Sequence, residues 1–364
     1  MKNSLRFGAL AAASALALAA CSSAPKDEPT SSASGAPTTS AAAMLDYKAC
    51  MVSDAGGFDD GSFNQSGFEG LKRAEADLGI VTASAESNAD TEFAPNIAAM
   101  IEAKCDLIIT VGFALSQATV DAALANPDVS FAIVDDFADN DFNGTTDAPN
   151  IKPLTFQTDE AAFLAGYASA SVSKTGTIAT FGGVAYPSVT IFMDGFLAGA
   201  NAYNADNSKS VAVLGWNGTD GAFTGDFNDL SKGQTTAQGF IDQKADVILP
   251  VAGPVGAGGA AAAQGAPGTW IVGVDADWTV TYPEYKDIIL TSILKNIGNS
   301  VYDTITEAVS AKGMSFTPYV GTLANGGVGV APFADGTVSA DVEAKLAELT
   351  KGIIAGTVSV KPAA

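Results

Sequence analysis

Short segments rich in apolar and β-branched residues alternate with helical segments along most of this chain. Strands that alternate with helices of about 10 to 15 residues form βαβ units around parallel sheets. The candidate strands are too many for one sheet, and the pattern starts again near residue 157, so we expect two doubly wound α/β lobes. The predicted strands are 48–52, 79–83, 107–111, 130–134, 152–156, 177–181, 210–214, 247–250, 270–274 and 288–292, and the predicted helices include 68–77, 95–103, 161–171 and 190–203.

The N-terminus has the pattern of an export signal. Lys2 and Arg6 precede an apolar run over residues 7–20, and a cysteine follows Leu18-Ala19-Ala20. This cleavage site resembles the bacterial lipobox, in which Cys21 would become the lipid-modified first residue of the mature protein. An ordinary signal peptide is the alternative. Residues 1–20 are therefore predicted to be a lipoprotein signal peptide.

The segment that follows is rich in Ser, Ala, Thr and Pro and has almost no large apolar residues. Such a stretch buries too little surface to fold by itself. We expect residues 21–45 to be a lipidated cysteine and a flexible tether that holds the body at the extracytoplasmic face of the cell membrane. The acidic body would be repelled by anionic lipid, so the tether must provide the attachment.

The charge and composition exclude several classes of function. The chain has 18 Lys and Arg against 40 Asp and Glu, a net charge of −22, which is the opposite of what phosphate contacts to nucleic acid require. Histidine is absent, which removes Ser-His-Asp triads and His-ligated zinc sites. Asp59 and Asp60 lack the spacing of a calcium loop, so no metal site is expected. The composition favours a binder of neutral or cationic molecules.

A glycine-rich stretch at residues 253–259 is followed by Asp275, which suggests a dinucleotide site. The G-x-G-x-x-G pattern has no register there, and Pro254 occupies the tight turn. No cofactor is expected. Paired carboxylates could also indicate a glycosidase, but the sequence fixes no two of them at a given separation.

Two cysteines remain in the body, Cys50 and Cys105, each at the start of an apolar run. If the first and third strands are neighbours in a parallel sheet, these starts lie side by side. Disulfides persist outside the cytoplasm. The sequence therefore favours a Cys50–Cys105 disulfide, with two buried free thiols as the alternative.

Glycine, Asp, Asn and aromatic residues recur where the predicted strands end, which is where open α/β sheets bind ligands. A single Asp at such a position is ordinarily a helix cap, but the same residue types recur in both lobes. No Lys or Arg occurs in these predicted loops. Aromatic faces with carboxylate and amide acceptors suit a flat, hydroxyl-rich, uncharged ligand such as a nucleoside or a sugar, and not a nucleotide. The loops are 53–65, 112–116, 135–137, 182–183, 215–218, 227–229, 253–256 and 275–278.

The segment Val-Ser-Asp-Ala-Gly-Gly-Phe-Asp-Asp-Gly-Ser-Phe-Asn-Gln at residues 52–65 resembles the opening motif of the basic membrane lipoprotein family. Its members are substrate-binding lipoproteins of ABC importers, and the best understood resemble purine nucleoside receptors. Shorter segments that look like family motifs follow in the family's order, at 112–116, 160–166, 227–229, 251–253 and 273–277.

The resemblance implies the type I periplasmic-binding-protein fold, in which two α/β lobes joined by three hinge crossings close on a ligand. The crossings are expected near residues 156, 279 and 315. The N-terminal lobe would comprise residues 46–156 and 280–314, and the C-terminal lobe residues 157–279 and 315–364.

The resemblance also implies a set of ligand-binding residues. Phe63 and Phe227 would hold the base between them from opposite lobes, and Asp277 would accept hydrogen bonds from ribose hydroxyls. The other implied contacts are Asp54 and Asp135 to base-edge or ribose groups, with Asn64 and Gly253 completing the wall. Two positions depart from the family: Ala276 stands where nucleoside-binding members commonly have a basic residue, and Trp278 stands where they tend to have Gln. Trp278 is expected to add an aromatic surface to the site.

The sequence thus predicts a lipid-anchored, monomeric receptor that binds a nucleoside, most favourably a purine nucleoside, and delivers it to an ABC permease without performing chemistry. A receptor for a sugar or sugar-like signal is one alternative. A surface interaction protein with a vestigial cleft is a second, and an enzyme that uses carboxylates is a third.

Overall fold

The computed structural model describes residues 45–362 and contains two six-stranded sheets covered by helices. The predicted signal peptide, Cys21 and the tether up to residue 44 lie outside the described residues. Within residues 45–362, no helix has the length and apolar character needed to cross a membrane.

The strands are β1 (Lys48–Ser53), β2 (Val81–Ala85), β3 (Leu107–Val111), β4 (Ser130–Val134), β5 (Ile151–Phe156), β6 (Thr177–Gly182), β7 (Ala212–Leu214), β8 (Val247–Val251), β9 (Trp270–Asp275), β10 (Ile289–Lys295), β11 (Tyr319–Gly321) and β12 (Val328–Val330). The α-helices are α1 (Phe63–Leu78), α2 (Phe93–Glu102), α3 (Ser116–Ala125), α4 (Thr158–Val172), α5 (Pro187–Asn207), α6 (Leu230–Asp242), α7 (Pro254–Gln264), α8 (Trp278–Thr281), α9 (Ile297–Ala308) and α10 (Ala340–Ile354).

The first sheet has the strand order β11-β5-β4-β3-β1-β2, and every pair in it is parallel. The second sheet has the order β12-β10-β9-β8-β6-β7, in which only β10 and β12 are antiparallel. The central strands are buried on both faces, as continuous apolar segments such as Leu107–Val111 require. The expected pair of α/β lobes is present.

The chain passes between the sheets three times: after β5, between β10 and α9, and between β11 and β12. The second and third passages differ from the expected crossings near residues 279 and 315. Residues 289–295 were expected to return to the first lobe, but β10 is buried and pairs in parallel with β9 in the second sheet. The return is made by α9, which packs on α1 so closely that a Cβ on Gly70 would lie 2.3 Å from the carbonyl oxygen of Gly298.

All ten predicted strands are present, most within two residues of their predicted ends. β2 starts at Val81 and not at residue 79, because Gly79 takes a left-handed conformation that ends α1. The three-residue strands β11 and β12 were not predicted, since segments so short carry little periodic signal.

Cys50 lies in β1, and Cys105 lies two residues before the neighbouring strand β3. The structure joins them in a disulfide with a Cα–Cα distance of 6.0 Å. Both cysteines are buried among the side chains of Ile97 and Ile108, on the face of the first sheet covered by α2.

Candidate functional site

A cleft lies between the two lobes, at the carboxyl ends of the parallel strands. Both lobes contribute aromatic, acidic and backbone groups to its walls. Six of the residues predicted from the sequence line it: Asp54, Phe63, Asn64, Asp135, Phe227 and Gly253.

Asp54 directly follows β1 and lines the cleft. Its Oδ1 accepts a hydrogen bond of 2.8 Å from the side-chain amide of Asn64. Burial raises the pKa of Asp54 to about 8, against the lowering effect of the Asn64 hydrogen bond. Near neutral pH the carboxyl group therefore keeps its proton and can both donate and accept a hydrogen bond. Its place depends on Gly112, where a Cβ would lie 2.1 Å from Oδ2 of Asp54.

Asp60 shapes the loop that carries these groups. Its Oδ1 accepts from the backbone N–H groups of Ser62 and Gln65, and its Oδ2 accepts from that of Asn64. These bonds satisfy free N–H groups at the start of α1, where no helical carbonyl is available. Asp60 thus holds Phe63 and Asn64 on the first turn of the helix, facing the cleft.

Aromatic side chains enter the cleft from both lobes. Phe63 lies at the start of α1, and Phe227 lies in the loop before α6. Phe227 packs on the backbone of Gly183, where a Cβ would lie 2.3 Å from a ring carbon. Tyr186, which the sequence analysis did not single out, has its ring 6.1 Å from that of Phe227 and 4.9 Å from that of Phe113 in the other lobe.

Lys295 is the cleft residue that sequence reasoning missed most clearly. It is the last residue of β10, and its side chain is only 3% exposed. Its Nζ lies 2.6 Å from Oδ2 of Asp135 and 3.6 Å from Oδ1 of Asp275. Lys295 lies outside the strand-end loops considered in the sequence, because the predicted strand stopped at residue 292. Burial disfavours the charged ammonium, but Asp135 and Asp275 outweigh this effect and raise the pKa of Lys295.

Asp277 and Trp278 do not line the cleft, contrary to the expectation. Oδ1 of Asp277 accepts from the backbone N–H and the hydroxyl of Thr279 and so caps α8. Trp278 is fully buried, donates to the carbonyl of Val274 and packs against Gly273. The acid that reaches the cleft from this loop is Asp275, which lies at the end of β9.

Polar contacts also join the lobes around the cleft, and three of them involve carboxylate or carbonyl groups of named cleft residues. The hydroxyl of Ser62 donates to Oδ2 of Asp275 over 2.8 Å, and the phenol of Tyr282 donates to the carbonyl of Asp60 over 2.6 Å. The third is the ion pair of Lys295 with Asp135. The described structure is therefore a closed arrangement of the two lobes.

Among the described residues, Asp139, Asp141 and Asp147 form the one acidic group with oxygens close enough to hold a metal ion, within 4.8 Å of one another. The first two belong to an Asp-x-Asp-x-Asn-Gly segment, a spacing that the sequence analysis did not weigh. At the twelfth position of the loop, counted from Asp139, a calcium loop has Glu, but this chain has Asn150, whose amide donates to backbone carbonyls. Asp139 accepts from the backbone of its own loop.

Comparisons with known proteins agree with this architecture. The family model described as ABC transporter substrate-binding protein PnrA-like matches residues 47–362. The ABC transporter nucleoside-binding protein BmpA of Lactococcus lactis is 31% identical over 99% of each chain. Basic membrane protein A of Borreliella burgdorferi is 32% identical over 70% of each chain. A solute-binding protein of an ABC transporter system from Aeropyrum pernix has the same fold, with a TM-score of 0.76 at 24% identity over 87% of this chain and 94% of that chain.

Proposed function

The chain belongs to the family of PnrA-like ABC transporter substrate-binding proteins, and we propose that its ligand is a nucleoside, most favourably a purine nucleoside. The protein captures the nucleoside between its lobes and delivers it to an ABC permease. Cys21 carries the lipid that anchors it to the extracytoplasmic face of the cell membrane.

The observation that carries this proposal is the presence of Phe63 and Phe227, from opposite lobes, in one cleft. A flat base that contacts both rings is bound better by the closed lobes than by separated ones. A ligand shifts a conformational equilibrium only through such a difference in affinity. Stacking on each ring contributes about 1–3 kcal/mol per base.

The polar groups of the cleft support a nucleoside over a base alone. Asp54 and Asn64 offer a donor and acceptors that match the edge of a base. Asp135 and Asp275 surround the ammonium of Lys295, and together these groups can accept from and donate to ribose hydroxyls. A phosphate is a poor fit, because the one ammonium is already neutralised by two carboxylates.

The test is calorimetric titration of the full chain, unfolded and refolded in detergent solution to remove bound ligand. Adenosine, guanosine, inosine, cytidine, uridine and free ribose are added in turn. We expect purine nucleosides to bind and ribose to give no heat. Binding of ribose alone would support the sugar receptor instead, and silence of the whole panel with folded protein would overturn the proposal.

A further inference from the structure

A second compartment adjoins the cleft on the side of the β5–α4 crossing. It is also lined from both lobes. Phe113, Asp135, Ser188 and Lys295 line both compartments. The ion pair of Asp135 with Lys295 therefore stands in the wall between them, and a ligand held by that pair has space beyond it.

The second compartment is aromatic and acidic. Phe156 forms part of its floor, while Phe137 and Phe142 stand at its edge with 52% and 86% of their surface exposed. Asp136 and Asp139 add carboxylates. The one cation among the lining residues is Lys295, whose charge is already balanced by its own carboxylate neighbours.

We propose that this compartment binds a cationic, amine-bearing substituent on the ribose end of the nucleoside. An ammonium group is attracted to aromatic faces and to carboxylates, both of which are present here. The same walls repel a phosphate. The inference rests on the proposed function and narrows the ligand class from simple nucleosides to nucleosides that carry a positive charge beyond the sugar.

The residues that the two compartments share indicate which end of the nucleoside faces the second compartment. Phe63 and Phe227, which flank the base, line only the first compartment. Asp135 and Lys295, which face the sugar, line both. A substituent attached to the ribose therefore extends into the second compartment. A substituent attached to the base does not reach it.

The experiment compares four ligands by calorimetry on the full chain: adenosine, 5′-deoxyadenosine, 5′-amino-5′-deoxyadenosine and AMP. We expect the amine to bind about tenfold more tightly than 5′-deoxyadenosine, the size of one favourable cation contact. AMP should bind at least about tenfold more weakly than adenosine, since its phosphate meets the carboxylates of Asp136 and Asp139.

The variant Asp136→Asn removes the carboxylate charge but keeps the hydrogen bonds that hold its loop. The hydroxyl of Ser116 and the backbone N–H of Ala138 both donate to Oδ1 of Asp136, and an asparagine keeps that oxygen. The preference for the amine over 5′-deoxyadenosine should fall by about threefold or more, while adenosine binds as before. Phe142→Ala removes an exposed ring and should reduce the same preference.

If adenosine binds but the amine binds no better than 5′-deoxyadenosine, this inference is wrong and the proposed function stands. A preference that survives both Asp136→Asn and Phe142→Ala also overturns it. If no member of this set and no nucleoside of the earlier panel binds, the proposed function fails and this inference fails with it.

Discussion

The ammonium of Lys295 in the second lobe lies 2.6 Å from a carboxylate oxygen of Asp135 in the first, and both side chains are more than nine-tenths buried. The two residues are 160 positions apart in the chain. Their pairing satisfies two charges that burial would otherwise penalise, and it does so across the ligand cleft. Closure of the lobes and the electrostatics of the cleft are therefore linked through one contact.

Replacing Lys295 by Met should destabilise the protein strongly, because it leaves the carboxylates of Asp135 and Asp275 buried without a counter-charge. We expect the free energy of unfolding to fall by about 3 kcal/mol or more, measured by urea denaturation. Lys72→Met is the control, since Lys72 pairs with Glu75 at the surface and should cost less than about 1 kcal/mol. Equal losses in the two variants would contradict the assignment.

Truncation of either stacking ring should weaken nucleoside binding. Phe63→Ala and Phe227→Ala should each cost about 1–3 kcal/mol of binding free energy, as measured by calorimetry. Phe68→Ala is the matched control, because Phe68 lies on the same helix as Phe63 but stacks on Phe58 outside the cleft. Unchanged affinity in both cleft variants would rule out the sandwich.

Asp54 should make stability depend on pH. Its carboxyl group keeps its proton in the folded protein up to a pKa of about 8 but ionises near pH 4 once unfolded. Unfolding therefore releases a proton, and the free energy of unfolding should fall as the pH rises from about 4 to about 8. Asp54→Asn keeps the oxygen that accepts from Asn64 and should flatten this slope in urea denaturation across the range. Asp59→Asn, at an exposed site in the same loop, should leave the slope as it is.

Gly112→Ala should displace Asp54, because the new Cβ would lie 2.1 Å from its Oδ2. The variant should lose both stability and nucleoside affinity. Gly336→Ala separates the two effects, since Gly336 also has positive φ but no atom within 4 Å of the added carbon. It should lose stability alone. The same affinity loss in both would show that the contact with Asp54 is not the cause.

Substitution of Asp275 and of Asp277 should affect nucleoside affinity differently, although the two residues are only two positions apart. Asp275→Asn removes a carboxylate that faces Lys295 in the cleft and should weaken nucleoside binding measurably. Asp277→Asn should leave affinity unchanged, because the side chain caps α8 and asparagine caps helices as well. Calorimetric titration of both variants decides which acid faces the ligand, and a loss confined to Asp277→Asn would contradict the geometry.

Three of the six predicted residues that line the cleft lie within two residues of the end of a buried strand. Asp54, Asp135 and Gly253 sit where the apolar segments end, and the topology of parallel sheets brings such positions together. Lys295 escaped because it lies inside β10, at the end of an apolar segment that appeared complete three residues earlier. Its role depends on a partner in the other lobe, which local patterns do not reveal.

Trp278 shows the opposite error. A tryptophan after a strand suggested a ligand contact, yet Gly273 and Gly256 leave a space in the core that the indole fills. No sequence pattern links Gly256 or Gly273 to Trp278, so only the assembled sheet shows where the indole lies. The crossing that follows β10 was predicted at the wrong place for a related reason. β10 belongs to the second lobe because it pairs with β9, and its own sequence does not reveal that partner.

Lys295 is separated by one residue, Asn296, from the first residue of α9, so this cleft-lining side chain stands at the passage from the second lobe to the first. In many receptors, a signal of occupancy has to travel from the binding groups to a distant joint. Here a force on the ammonium acts directly at one of the three passages of the chain between the lobes. A cleft-lining group and an interlobe passage thus belong to one short stretch of chain.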